Sequence, residues 1–273
     1  MSKYKMVAID LDGTLLGWHG TLTEENYRAI SALADRGVIF VPTTGRALSE
    51  VPDELLRHPA VRYVISSNGT AIHDRCEGKS SIVAMDKETS KRVYGIMRKY
   101  PFYFSNHVNT VSYIDASIPE ERVTDYGISA YYAKFFKDLG TPLDNYDEIF
   151  LSGVEVQMFA GFARDPKDIL SVREELRGVE GIVFTTSAPG DIEVMPAEAG
   201  KGNGVRSLAE HLGIPLDEVI TAGDNLNDLA MLRSSGASVA SLWAVPEIKA
   251  ATTHVQDEGH QHICEYILDS FFG

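Results

Sequence analysis

The 273-residue chain reads as an α/β protein, a parallel-sheet core interrupted by an inserted α+β domain. Three observations predict this. Short apolar runs alternate with helix-period stretches through 1–85 and again through 191–273, the rhythm of a sheet covered by helices on both faces. The intervening 86–190 has a different texture, concentrating Tyr94, Tyr100, Phe102, Tyr103, Phe104, Tyr113, Tyr126, Tyr131, Tyr132, Phe135 and Phe136. Finally, the apolar runs end in polar, glycine-containing turns: D-L-D-G-T, P-T-T-G-R, S-N-G-T and G-D-N-L-N-D.

In chain order, Lys5 to Asp10 is the first strand. Thr23 caps a helix whose first turn carries Glu24 and Glu25, where carboxylates suit the helix dipole, and Gly37 stops it. Tyr27, Ile30, Leu33 and Ala34 form its apolar stripe. Val38 to Val41 and Arg62 to Ser66 are further strands of the same sheet. Within the insertion, Asn109 to Asp115 and Val154 to Phe159 carry strand patterns, and its aromatics are more commonly core than ligand surface. Beyond Gly190 a helix bears Val205, Leu208 and Leu212, followed by strands at Val219 to Ala222 and Gly236 to Ala240.

Composition narrows the function. A formal net charge of −14 with no basic cluster disfavours nucleic acid and anionic membranes, leaving a small molecule as the expected partner. No apolar run has the roughly 18 residues of a membrane span, and the opening M-S-K-Y-K-M-V-A-I-D reaches an aspartate too early for a signal peptide, so a cytoplasmic protein is expected. Cys76 and Cys264 lack C-x-x-C spacing and read as reduced thiols. Oligomeric state is not legible.

The chemistry gathers at strand ends. If the first strand keeps its conformation to its end, Asp10 and Asp12 share a face at the carboxyl edge, where open α/β sheets bind ligands. Taken alone, Asp12-Gly13 also reads as a plain turn. Thr43, Thr44, Gly45 and Arg46 end the second strand, Asp224, Asn227 and Asp228 follow another, and Lys201 opens a helix in A-G-K-G-N-G. If Asp10, Asp12, Asp224 and Asp228 converge at ~5 Å, each pair repels by roughly 3 kcal/mol at an effective dielectric of ~20. Such a site calls for a cation and for one carboxyl kept protonated. Oxygen ligands without His or Cys favour Mg²⁺, which commonly shares its shell with phosphate. An EF-hand fails at Ala8 and Leu226, Lys201 is followed by Gly202 rather than Ser or Thr, and no G-x-G-x-x-G follows a strand. His254, His260 and His262 read as solvated surface.

D-L-D-G-T, T-G-R, Lys201 and G-D-N-L-N-D, in that order and spacing, resemble the haloacid dehalogenase superfamily of phosphatases. The inserted domain and S-N-G-T make the chain similar to its Cof-type subgroup with a C2B cap. The resemblance implies a Rossmann-like core at 1–85 and 191–273 and a cap at 86–190. It further implies Asp10 as nucleophile through an aspartyl-phosphate, Asp12 as general acid then base, and Thr44 and Lys201 as catalytic partners of the phosphoryl group. Mg²⁺ would be held by Asp10, the Asp12 carbonyl and Asp224, with Asp228 and Asn227 supporting the shell. Gly45, Arg46 and Asn227 would face the substrate. The implied activity is hydrolysis of small phosphomonoesters such as sugar phosphates. A phosphomutase passing the phosphoryl group to a second hydroxyl, or a non-catalytic phosphometabolite-binding module, are the alternatives. The chain departs from the family at Leu242-Trp243-Ala244, where Gly-Asn-Ala is common, and Trp243 there either packs or narrows the leaving-group side. The tail Q-D-E-G-H-Q-H matches the family's acidic-glycine ending only loosely.

Overall fold

The computed structural model describes residues 2–17, 20–187 and 190–273, and the chain folds as two compact units. One comprises Met1–Gly45, Val51–Ser81 and Gly200–Gly273; the other comprises Arg46–Glu50 and Ile82–Ala199.

The first unit opens with β1 (Met6–Ile9), all four residues buried. Strand alternation sends Met6 and Ala8 to one core, with Val41, Val205, Leu208 and Met231, and turns Val7 and Ile9 to the other face. The helix Glu24–Asp35 follows, capped as its sequence predicts: Thr23 Oγ1 accepts from Asn26 N–H at 3.3 Å, and Gly37 leaves it with φ 78°. It packs against the helix Ile263–Phe272, where buried Asn26 donates to Leu15 O and accepts from Cys264 N–H. β2 (Ile39–Pro42) pairs parallel with β1.

β3 (Tyr63–Ser66) differs from its expected place. A single parallel bridge, Thr43 to Ile65, joins it to the chain after β2. Otherwise it pairs antiparallel with β4 (Ala71–Asp74), in a three-stranded sheet with β5 (Lys79–Ile82). The cause is the S-N-G turn: Ser67, Asn68 and Gly69 all have positive φ, which reverses the chain into a hairpin.

The second unit is built on a six-stranded sheet of β6 (Phe102–Val108), β7 (Val111–Asp115), β8 (Thr141–Leu143), β9 (Met158–Ala163), β10 (Ile182–Thr185) and β11 (Asp191–Pro196). Its order is β10-β11-β9-β6-β7-β8, antiparallel except for β7 with β8. The aromatic residues mostly serve its interior: Tyr94, Phe102, Phe104, Tyr146, Phe150 and Phe159 form one core, and Tyr103 and Phe136 belong to a second on the opposite sheet face.

The chain then completes the first unit with β12 (Val219–Gly223), β13 (Ala237–Ala240) and β14 (His254–Val255). The resulting all-parallel sheet has the order β14-β13-β12-β1-β2, so β1 is flanked by β12 and β2, and their carboxyl ends lie together. No helix among the described residues is long and apolar enough to cross a membrane.

Candidate active site

β1 ends at Ile9, one residue before the first aspartate. Asp10 N–H still donates to Ala222 O at 2.9 Å, so the backbone stays in register with β12 as it leaves the sheet. The chain then turns: Leu15 N–H donates to Asp10 O and Leu16 N–H to Leu11 O, with an isolated bridge between Asp12 and Leu16. Asp10 and Asp12 therefore do not share the face of a continuing strand, because the turn begins between them. Gly13 sits inside it with φ 81°, and a Cβ there would lie 2.5 Å from Asp224 Oδ2. Only a glycine lets this turn approach the Asp224 carboxylate so closely.

Lys201 is the first residue of the helix Lys201–Leu212 and is 1% exposed. Its Nζ donates to Asp10 Oδ1 at 2.5 Å and to Asp228 Oδ1 at 2.7 Å. Asp228, fully buried, is fixed from its other side as well: its Oδ2 accepts from Asp224 N–H at 2.9 Å and Asn225 N–H at 3.1 Å. Asn225 and Asp228 form a capping box at the short turn Leu226–Asp228. Gly223 makes room for this carboxylate, since a Cβ there would lie 2.5 Å from Asp228 Oδ2. Thr14 Oγ1 donates to Asp224 Oδ1 at 3.4 Å.

Carboxylate oxygens of Asp10, Asp224 and Asp228 all lie within 4.8 Å of one another. Burial drives the Asp10 carboxyl well above its ordinary range; Lys201 opposes this, and the charges of Asp228, Asp224 and Asp12 add to it. Asp224 is pushed up to about 7, by burial first and by Asp228 next, again with Lys201 opposing. Burial alone would lower the Lys201 pKa, but the two carboxylates outweigh it, so the ammonium stays charged. The sequence called for one carboxyl of the cluster with raised affinity for a proton, and burial with neighbouring charge raises Asp10 and Asp224.

Thr44 is fully buried where β2 has ended, its N–H donating to Ile65 O and its carbonyl accepting from Asn68 N–H. Asn227 Nδ2 donates to Asn68 Oδ1 at 3.2 Å, which ties the Asp228 turn to the S-N-G turn. Gly45 is the last residue of this stretch of the first unit, and Arg46 belongs to the second. There Arg46 donates to Glu50 O at 3.0 Å and stacks 4.5 Å from the Phe135 ring centroid. Two contributors escaped the sequence reading. Asn68, at φ 52°, was visible only as part of S-N-G-T, and Ser241, whose Oγ donates to Gly13 O at 2.8 Å, carried no signal.

A buried lysine bridging carboxylates at the carboxyl edge of a parallel sheet, with an α+β unit inserted into the chain, is the arrangement that the resemblance to haloacid dehalogenases implies. The chain belongs to the haloacid dehalogenase-like hydrolases, whose family model matches residues 7–263, and it is a phosphatase of that family. It is 28% identical to the 5-amino-6-(5-phospho-D-ribitylamino)uracil phosphatase of Bacillus subtilis, over 97% of each chain. It is 26% identical to the HMP-PP phosphatase of Klebsiella pneumoniae, over 96% of this chain and 94% of that one. Among solved structures, a haloacid dehalogenase-like hydrolase from B. subtilis superposes with a TM-score of 0.83 at 24% identity, covering 98% of this chain and all of that one. A subclass IIB sugar phosphatase superposes at 0.80 and 21% identity, covering 97% and 98%.

Proposed function

We propose that the chain is a Mg²⁺-dependent phosphatase that hydrolyses small phosphomonoesters through an aspartyl-phosphate on Asp10. The observation that carries this reading is the buried Lys201 ammonium held by both Asp10 and Asp228, with Asp224 completing a carboxylate cluster. The names of the relatives supply the substrate class: phosphorylated small molecules, one with a ribitylaminouracil skeleton and one a sugar phosphate.

The donor set fits a hard divalent ion. It offers carboxylate oxygens with no imidazole or thiolate, and three clustered carboxyls share a single lysine ammonium. Asp10, Asp224 and the Asp12 carbonyl would hold the ion, while Asp228, its two oxygens already engaged by Lys201 and backbone N–H groups, would brace the shell. Bound there, the ion supplies charge that cancels repulsion between a carboxylate and an anionic phosphoryl group.

The chain's own residues then divide the work. Lys201 fixes Asp10 Oδ1, so the Asp10 carboxylate meets phosphorus in one orientation and forms the new P–O bond. As the bond to the leaving oxygen breaks, Asp12 gives that oxygen a proton. Asp12 then takes a proton from water, whose oxygen attacks phosphorus and returns Asp10 as a free carboxylate. Thr44 and the Lys201 ammonium stabilise charge on the non-bridging oxygens. Incubation with a panel of phosphomonoesters and Mg²⁺ tests the reading: release of inorganic phosphate with substrate-dependent kcat/KM is expected. Transfer between two sugars without phosphate release would establish the mutase instead, and no turnover of any ester would reject catalysis.

A further inference from the structure

Trp243 is 68% exposed, the most exposed aromatic side chain among the described residues. Leaving a tryptophan in water forgoes the burial that makes this residue useful for stability. Its loop is nevertheless built with care. The segment begins where β13 ends, and Ala244 N–H closes a turn onto Ser241 O. Four further hydrogen bonds brace it. Ser241 Oγ donates to Gly13 O, Leu242 N–H to Gln256 Oε1, Lys249 Nζ to Leu242 O, and Val245 N–H to Asp224 O.

Two of those bonds end on the carboxylate site itself. Gly13 is the residue against which the Asp224 carboxylate packs, and Asp224 is a member of the cluster. The loop that carries Trp243 is therefore tied, through Ser241 on one side of it and Val245 on the other, to the backbone of two residues of the carboxylate site. The face of an indole is apolar and carries the negative side of the ring quadrupole, which disfavours an anionic group against it and accepts an uncharged planar ring. An indole fixed in advance binds such a ring without first losing conformational freedom.

We propose that Trp243 is a specificity-determining residue that stacks on a planar, uncharged ring carried by the leaving group. The proposal rests on the reading of the Asp10 cluster as a phosphate site and adds to it the class of ester preferred. It assigns the chain to phosphate esters whose leaving group carries such a ring, over esters of compact aliphatic alcohols.

Non-hydrolysable phosphonates separate the two levels. Calorimetric titration with Mg²⁺ present compares phenylalkylphosphonates, from benzyl to phenylpentyl, with plain alkylphosphonates of matching spacer. In the wild type the ring is expected to tighten binding at one or more spacer lengths. Trp243→Ala should reduce that gain by roughly tenfold, the size of a stacking contact, and leave methylphosphonate affinity unchanged. Trp243→Phe should keep most of the gain, which a merely structural role would not require. If the ring gain is absent in the wild type, or survives in Trp243→Ala at every length, the stacking role is overturned while the phosphate site stands. If methylphosphonate itself fails to bind the wild type, the phosphate-site reading falls and the Trp243 proposal with it.

Discussion

Lys201→Met removes one positive charge from a place where three carboxylates meet, while keeping a side chain of similar length. Lys201 is 1% exposed and makes its two contacts at 2.5 and 2.7 Å, to Asp10 and Asp228. Asp228 is fully buried and Asp10 is 4% exposed, so solvent screens neither partner once the ammonium is gone. Breaking a buried ion pair by deleting one member typically costs about 3 to 5 kcal/mol, because the remaining charge is left uncompensated. Denaturant unfolding of the metal-free protein should register a loss of that order. The same ammonium is assigned to the phosphoryl oxygens, and removing one such electrostatic contact typically lowers kcat by about 10²–10³-fold. Lys201→Arg should not rescue activity, since a guanidinium is larger, planar and aimed differently. The reasoning is refuted if Lys201→Met loses under about 1 kcal/mol of stability, far below the cost of abandoning a buried charge. A kcat/KM within about threefold of wild type, a difference of under 1 kcal/mol in the barrier, would refute the catalytic assignment.

Gly13→Ala puts a methyl group 2.5 Å from Asp224 Oδ2 at a backbone φ of 81°. It should cost about 1–3 kcal/mol in stability and displace Asp224, read as a raised Mg²⁺ requirement for turnover; unchanged stability and metal dependence would contradict the close approach. His107 and His73 supply a pH dependence. Burial lowers them to about 3 and about 4, from 6.5, so the folded protein binds fewer protons than the unfolded chain between those values. Their contribution is complete above pH 6.5 and falls as pH drops toward the folded values, by about 1.4 kcal/mol per pH unit for each histidine. The raised carboxyls of Asp10 and Asp224 act in the opposite direction over the same range, so the readout is a difference: unfolding titrations from pH 7 to 5 should lose the histidine share of the slope in His107→Gln, and a slope unaffected by the substitution would count against the assignment.

What the sequence disclosed depended on whether a feature was local. The runs Met6–Ile9, Ile39–Pro42 and Val219–Gly223 are apolar and short, bounded by turn-forming residues, so their places, to within a residue at each end, and the residues following them were legible. Thr23, with Glu24 and Glu25, marked a helix start for the same reason. The partners of a strand are set by tertiary pairing, and β3 therefore looked like a member of the parallel sheet although the positive-φ S-N-G turn folds it into a hairpin. The geometry of Asp10 and Asp12 depended on where β1 stops, one residue earlier than expected. Convergence of Asp10, Lys201, Asp224 and Asp228 could be anticipated from strand ends. The double anchoring of Asp228 by backbone N–H groups could not, because it needs the folded path of residues 224–228. Ser241 is likewise one serine among many until its loop is seen against Gly13.

The central claim is that Asp10 carries the phosphoryl group during turnover. Rapid mixing with a phosphomonoester and Mg²⁺, acid quench, and borohydride reduction would convert an aspartyl-phosphate to homoserine at the modified position, which peptide mass spectrometry then locates. The account predicts homoserine at position 10 in the wild type, formed as fast as the leaving alcohol is released, and none in Asp10→Asn. Steady turnover with no reducible acyl phosphate at any quench time, or modification at a different carboxylate, would contradict it.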